Sequence, residues 1–170
     1  LTGESAEAAT GETIEAEAEK TILPLQADDT DTVFRQIMDM ATRENAFRHV
    51  ASLWQSDADL VLPPYFDGID DPVRFFSIAA ARASLHAAVL EPDLLVVINF
   101  NLPVVCTVRL PGTSQQGFIT IEAVTADDRF VFFPGSGLTR YLISPDDLSQ
   151  YIVGEMFILW RDRLAFDRVI

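Results

Sequence analysis

The chain has 170 residues with 26 acidic and 12 basic side chains, which gives a net charge of −14 at pH 7. This length corresponds to roughly one domain and is sufficient to bury a hydrophobic core. The acidic balance argues against nucleic acid and anionic membrane surfaces as partners, because both attract basic proteins. One cysteine excludes an intramolecular disulfide and a cysteine-rich metal site. We therefore expect an acidic globular domain.

The acidic residues are concentrated at the start of the chain. Residues 1–31 carry nine of them and only one basic residue, Lys20, and they contain no aromatic residue. Such a segment cannot bury enough apolar surface to offset the conformational entropy lost when it becomes ordered. We predict that residues 1–28 form an acidic, largely disordered linker, with residues 22–25 able to dock on the domain. Residues 29–170 are predicted to form a single domain.

The sequence shows no signal-peptide pattern and begins at Leu1 rather than at a methionine. We expect either a fragment of a longer, membrane-anchored protein or a processed product. Its longest apolar stretch without charge, Leu94 to Val108, is too short to span a bilayer and contains Pro103. We therefore predict no membrane insertion by this segment.

Apolar residues recur at helical spacing in the first half of the chain. They predict one helix after Asp31 and a second after Thr42, whose side chain can cap it. Asp71-Pro72 reads as the start of a third helix, which the pattern extends to about Leu90. Pro92 is predicted to open a short helix through Phe100.

After Pro103 the apolar period changes to two, which predicts strands. The predicted strands are Val104 to Arg109, Phe118 to Val124, Arg129 to Phe133, Leu138 to Ile143 and Glu155 to Trp160. Ser144-Pro145 is predicted to cap a short helix. Because helices come first and a meander of strands follows, the predicted class is α+β, with N-terminal helices on one side of an antiparallel sheet of about five strands.

Residues that could carry chemistry are few. Cys106 lies in the middle of a predicted strand without a cation or helix N-terminus to lower its pKa, so we expect an inert thiol. Ser77 and His86 are nine residues apart and would point to opposite sides of one helix. The sequence contains no metal-binding or phosphate-binding motif, so no metal and no cofactor is predicted.

The C-terminal half resembles the papain-like peptidase domain of bacteriocin-processing exporters. It is more similar still to the related periplasmic domain of general secretion pathway protein A, the ExeA-type ATPase of type II secretion. The resemblance covers about residues 42–162. The segments that carry it are Ala46 to Trp54, Leu94 to Val108, Gln116 to Ile121, Arg129 to Gly135, Ser144 to Leu148 and Gly154 to Arg161, the last reading Gly-Glu-Met-Phe-Ile-Leu-Trp-Arg.

The resemblance implies a papain-like fold that has lost its catalytic residues. Active peptidases of this type use a cysteine, a histidine and an aspartate. The corresponding positions fall near Phe75–Ser77, at Gly117 and at Phe133, and none carries the required residue. Acyl transfer would then have no nucleophile to activate. The remaining candidate site is a vestigial cleft whose residues are Tyr65, Phe75, Ser77, Gly117, Phe118 and Phe133.

Three functions are compatible with these features. The first is a pseudo-peptidase, not an enzyme, that mediates protein–protein interaction in a cell-envelope or secretion-system assembly, in the periplasm or elsewhere outside the cytoplasm. The second is a regulatory domain that binds a leader peptide in an open cleft. The third is a hydrolase that uses Ser77 with His86 or His49. The expected partner is a protein or peptide of the cell envelope, and the sequence does not indicate the oligomeric state.

Overall fold

A computed structural model describes residues 19–54, 61–100 and 102–161. Within these ranges the chain forms seven strands, five α-helices and one 3-10 helix. The elements in chain order are β1 (Thr21–Pro24), α1 (Ala27–Ile37), α2 (Arg43–Leu53), the 3-10 helix (Pro64–Gly68), α3 (Pro72–Arg82), β2 (His86–Leu90), α4 (Leu94–Phe100), β3 (Val104–Arg109), β4 (Gln116–Val124), β5 (Phe130–Phe133), β6 (Thr139–Ile143), α5 (Pro145–Ser149) and β7 (Ile152–Trp160).

The strands form a single sheet in the order β1-β6-β5-β4-β3-β7-β2. Every neighbouring pair is antiparallel except β1 and β6, which are parallel. The predicted α+β class is confirmed. The five predicted strands all form, and β7 lies inside the sheet between β3 and β2. The predicted strand number of about five is too low, because β1 and β2 add one strand at each edge.

Helices cover both faces of the sheet, which corrects the prediction that they lie on one side. One hydrophobic core joins α1, α4 and α5 to one face through Phe34, Val97 and Leu148. The other core joins α2, α3 and the 3-10 helix to the opposite face. The physical reason is visible in β3, whose residues Val104–Val108 are all buried. A strand that is apolar on both sides needs a covering layer on each of them.

Three of the predicted helix starts are confirmed by hydrogen bonds from the backbone to the capping side chain. The Asn45 amide donates to Thr42 Oγ1 at 3.1 Å, and the Val73 amide donates to Asp71 Oδ1 at 3.1 Å. The Asp147 amide donates to Ser144 Oγ at 3.2 Å. These bonds satisfy amides that have no partner within their own helix.

The third predicted helix is wrong in its second half. Helix α3 ends at Arg82, and the residues predicted to continue it form strand β2 instead. Ser84 adopts a left-handed backbone conformation with φ of 58°, which an α-helix does not accommodate. Beyond it, all five residues of β2 pair with β7, from His86 opposite Trp160 to Leu90 opposite Met156.

The N-terminal boundary also differs from the prediction. Strand β1 pairs with β6 within the segment assigned to the linker, and α1 begins at Ala27, before the predicted boundary at residue 28. Residues 22–25, which were expected to be able to dock on the domain, include three residues of this strand, although Ile22 and Leu23 stay exposed. Residues 1–18, which carry most of the predicted linker, lie outside the described residues.

Candidate functional site

The position that the resemblance assigns to a catalytic histidine is packed against the segment that follows helix α1. A Cβ atom at Gly117 would lie 3.1 Å from both the Cβ and the carbonyl oxygen of Ala41. The next amide, that of Phe118, donates a 2.7 Å hydrogen bond to the same Ala41 carbonyl. Main-chain packing therefore occupies the space that a histidine side chain would need.

Two aromatic residues of the predicted cleft, Phe75 and Phe118, belong to a packed cluster on the α2/α3 face of the sheet. The rings of Phe75 and Phe76 meet edge to face at 5.2 Å between centroids, and Phe76 contacts Phe118 at 5.8 Å. Arg43 places its guanidinium 4.3 Å above the ring of Phe75. Phe75 is fully buried and Phe118 is 9% exposed. These side chains fill the place where the prediction puts a cleft.

The two other aromatic residues of the predicted cleft, Tyr65 and Phe133, differ in their exposure. Tyr65 is 56% exposed and stacks on Phe66 at 4.9 Å. Phe133 is 7% exposed and stacks on the imidazole ring of His49 at 3.7 Å. Tyr65 therefore remains available at the surface, whereas Phe133 belongs to the interior.

The residues of the hydrolase alternative have other partners. Ser77 is exposed and donates its hydroxyl to the Val73 carbonyl at 2.8 Å, one turn earlier in α3. His49 hydrogen-bonds to Glu122, and His86 packs on Trp160 with 5.4 Å between ring centroids. The prediction that Ser77 and His86 lie on one helix is wrong, because His86 lies in β2.

A buried ionic cluster, which the sequence analysis did not identify, joins α2 to strands β4 and β6. Glu122 accepts hydrogen bonds from His49 Nε2 and from Arg140 Nε, the latter at 2.6 Å. Arg140 also donates to the Gly137 carbonyl at 2.8 Å, and its guanidinium lies 4.6 Å above the ring of Phe133. The side chains of Glu122 and Arg140 are 9% and 4% exposed. The available signal was a single charged residue in each of two otherwise uncharged strands.

The electrostatics of this cluster favour the ionised carboxylate. Burial by itself would raise the pKa of Glu122. Hydrogen bonds from His49 and Arg140, together with the attraction of their charges, outweigh burial and lower the pKa from 4.5 to about 2. A carboxylate held in this way is a poor proton acceptor, and the cluster has the character of a structural ion pair.

The only thiol is buried in the sheet. Cys106 lies in β3 with no solvent exposure, and desolvation raises its pKa from 9.0 to about 12. A thiol in this state is neither a nucleophile nor a metal ligand at neutral pH. Across the described ranges, no group of three or more His, Cys, Asp or Glu side chains is placed to hold a metal ion.

An open groove runs between the 3-10 helix and α3. It is lined by Tyr65, Gly68, Ile69, Asp70, Asp71, Arg74 and Ile78, and its volume is about 520 Å³. Asp71 is engaged as the cap of α3, while Asp70 and Arg74 are exposed. The groove thus combines one exposed aromatic ring, two half-buried isoleucines and charged groups of both signs, a composition that suits a protein or peptide ligand.

None of the helices in residues 19–54, 61–100 and 102–161 has the length and apolar character that crossing a membrane requires.

No protein-family model and no curated protein matches the chain. Among solved structures, the chain is similar to the crystal structure of a periplasmic domain of the EpsAB fusion protein of the Vibrio vulnificus type II secretion system. The sequences are 19% identical and the TM-score is 0.39. The similarity covers 46% of this chain and 33% of the other, so the match spans about a third of that protein domain's length.

Proposed function

We propose that this chain is a non-catalytic, peptidase-like domain that binds a protein partner in a cell-envelope or secretion-system assembly outside the cytoplasm. The sequence resemblance to the ExeA-type periplasmic domain supports the peptidase-like origin and the location. The observation that carries the binding role is the groove beside Tyr65, because it is the one predicted cleft residue that stays largely exposed and lines an open volume.

The chemistry of the groove indicates the kind of ligand. Tyr65, Ile69 and Ile78 offer apolar surface for a hydrophobic side chain, and tyrosine is among the residues that contribute most to protein interfaces. Asp70 offers a carboxylate to a basic residue, in a chain whose net charge is −14. We therefore propose as ligand a segment of a partner protein that carries an apolar side chain next to a lysine or arginine.

The absence of an enzymatic role is part of this proposal. The positions at Phe75–Ser77, Gly117 and Phe133 supply no thiol, imidazole or carboxylate, and Ser77 donates its hydroxyl to a backbone carbonyl. The leader-peptide alternative requires an open cleft at the aromatic cluster, where Phe75 and Phe118 are buried. Covalent labelling of Ser77 by a broad serine-directed probe would contradict the non-catalytic proposal.

Site-specific photo-crosslinking in cells tests the binding role. A photoreactive phenylalanine at position 65 is compared with one at Leu138, which is 52% exposed and precedes β6 near the other edge of the sheet. We expect a crosslink to one envelope protein from position 65 and none from position 138. Asp70→Lys in the same background should reduce that crosslink, because it reverses the charge offered to the partner. Equal crosslinking from both positions, or none from position 65, would overturn the proposal.

A further inference from the structure

Among residues 19–54, 61–100 and 102–161, strand β2 ends the sheet and pairs with β7 alone. Its residues His86–Leu90 contain no proline, lysine, arginine or carboxylate, and Val89 is 40% exposed. Edge strands in monomeric proteins usually carry charges or proline, because their unpaired backbone groups can pair with another chain. The opposite edge follows that rule, since β1 is four residues long and ends in Pro24. In the part of the chain that the structure describes, strand β2 is therefore an unprotected edge.

Apolar surface lies beside this edge. Ala88, Leu90, Phe100, Leu102, Ile158 and Trp160 line a pocket of about 300 Å³. Phe100, which lies in α4, is 51% exposed. Large side chains at this exposure, next to unpaired strand backbone, are typical of a surface that a partner covers.

The charges around β2 are arranged with opposite signs at its two ends. Glu91 and Asp93 follow its last residue, and Glu155 precedes Met156, the residue that pairs with Leu90. At the other end the described residues place one positive charge, because Arg161 follows Trp160, which pairs with His86. An antiparallel copy of this edge would place its basic end against the acidic end of the first, whereas a parallel copy would bring like charges together.

We infer that the occupant of this edge is a second copy of the chain, whose β2 pairs antiparallel with the first around a two-fold axis near Ala88. This pairing would form one continuous sheet through both copies. It would also bring Glu91 of each copy close to Arg161 of the other. A two-fold axis perpendicular to the sheet leaves the same face of both copies on the same side. The two apolar pockets therefore adjoin across the axis, and the interface is isologous. This inference uses none of the groove residues and stands independently of the proposed binding role.

Sedimentation of the purified full chain over a series of concentrations tests the inference. We expect a reversible dimer, and Val89→Lys should raise its dissociation constant about tenfold because it places a charge on each edge near the axis. The matched control is Ile22→Lys, which alters a residue that is 50% exposed on the opposite edge strand and should leave dimerisation unchanged. A chain that stays monomeric at every concentration, or a dimer that Ile22→Lys weakens as much as Val89→Lys, overturns the inference.

A charge exchange distinguishes the antiparallel pairing from other dimers. Glu91→Arg and Arg161→Glu should each weaken the dimer severalfold, because each brings like charges together across the axis. The double variant exchanges the charges and should restore dimerisation toward that of the unmodified chain. If the double variant loses as much dimer affinity as the two single variants together, this pairing is contradicted. Circular dichroism of each variant confirms that the fold is retained.

Discussion

A carboxylate in strand β4 receives hydrogen bonds from basic side chains of two other elements. Glu122 joins His49 of α2 and Arg140 of β6, and Lys20 lies 3.5 Å from its other oxygen. Basic side chains from three segments that are far apart in sequence thus meet at the Glu122 carboxylate. Buried ion pairs contribute little net stability compared with apolar packing, yet the loss of one partner is costly because it leaves the other charge unpaired in the interior.

Glu122→Gln removes this charge and nearly preserves the shape of the side chain. We expect it to lower the free energy of unfolding by about 3–5 kcal/mol, because the buried guanidinium of Arg140 loses its counter-charge. The control is Arg35→Gln, which breaks an exposed pair with Asp31 in α1 and should cost less than about 1 kcal/mol. Urea denaturation measures both changes, and equal losses would contradict the structural role of Glu122.

The lowered pKa of Glu122 also predicts a pH dependence. A carboxyl group whose pKa is lower in the folded than in the unfolded state stabilises the fold fully above the unfolded value. That contribution is lost as the pH falls from about 4.5 toward 2. The difference in unfolding free energy between the unmodified chain and Glu122→Gln should therefore shrink across this window. A difference that stays constant from neutral pH to pH 2 would show that the pKa of Glu122 is not lowered.

The turn between β5 and β6 is held tightly against the chain that follows α1. Gly135 has φ of 139°, and a Cβ atom there would lie 2.0 Å from the Met40 carbonyl oxygen. We expect Gly135→Ala to destabilise the fold by about 2–3 kcal/mol, because both the backbone and the contact oppose the added methyl group.

Gly137→Ala is the matched control in the same turn. Gly137 also has a positive φ, of 81°, but open space where the methyl group would lie. The control should cost about 1 kcal/mol, which corresponds to backbone strain alone. Thermal unfolding compares the two variants, and equal losses would show that the contact with Met40 is unimportant.

Elements with a strong local pattern could be predicted from the sequence. The alternating apolar residues of β3 to β6 and the capping residues Thr42, Asp71 and Ser144 identify their elements directly. Strand β2 could not be identified, because Ala87 and Ala88 favour a helix locally and become a strand through pairing with β7. Strand β1 is short and exposed, so it carries no alternating apolar pattern. Its place in the sheet follows from pairing with β6.

The candidate site was predictable only in part. The sequence identified Tyr65, and the structure places it beside the groove. It did not indicate that Phe75 and Phe118 pack into the interior, because an aromatic residue near a loop is equally compatible with a core and with a surface. The ionic cluster required knowledge of the sheet order, since Glu122 and His49 are 73 residues apart.

The molecule as a whole combines a sheet covered on both faces with two separate exposed surfaces. The groove beside Tyr65 carries the proposed binding role, and the edge strand β2 carries the inferred pairing with a second copy. The two lie on different elements, so a variant that abolishes one function should leave the other intact. Glu122 and the aromatic cluster, by contrast, belong to the interior and should affect both through stability alone.

The most direct test is the affinity for the partner protein identified by crosslinking from position 65. The dissociation constant is measured for the unmodified chain, for Tyr65→Ser and for Leu138→Ser, which replaces a leucine of similar exposure away from the groove. We predict that Tyr65→Ser weakens binding about thirtyfold, as expected for an interface tyrosine worth about 2 kcal/mol, and that Leu138→Ser has no effect. Unchanged affinity for Tyr65→Ser would contradict a binding role for the groove.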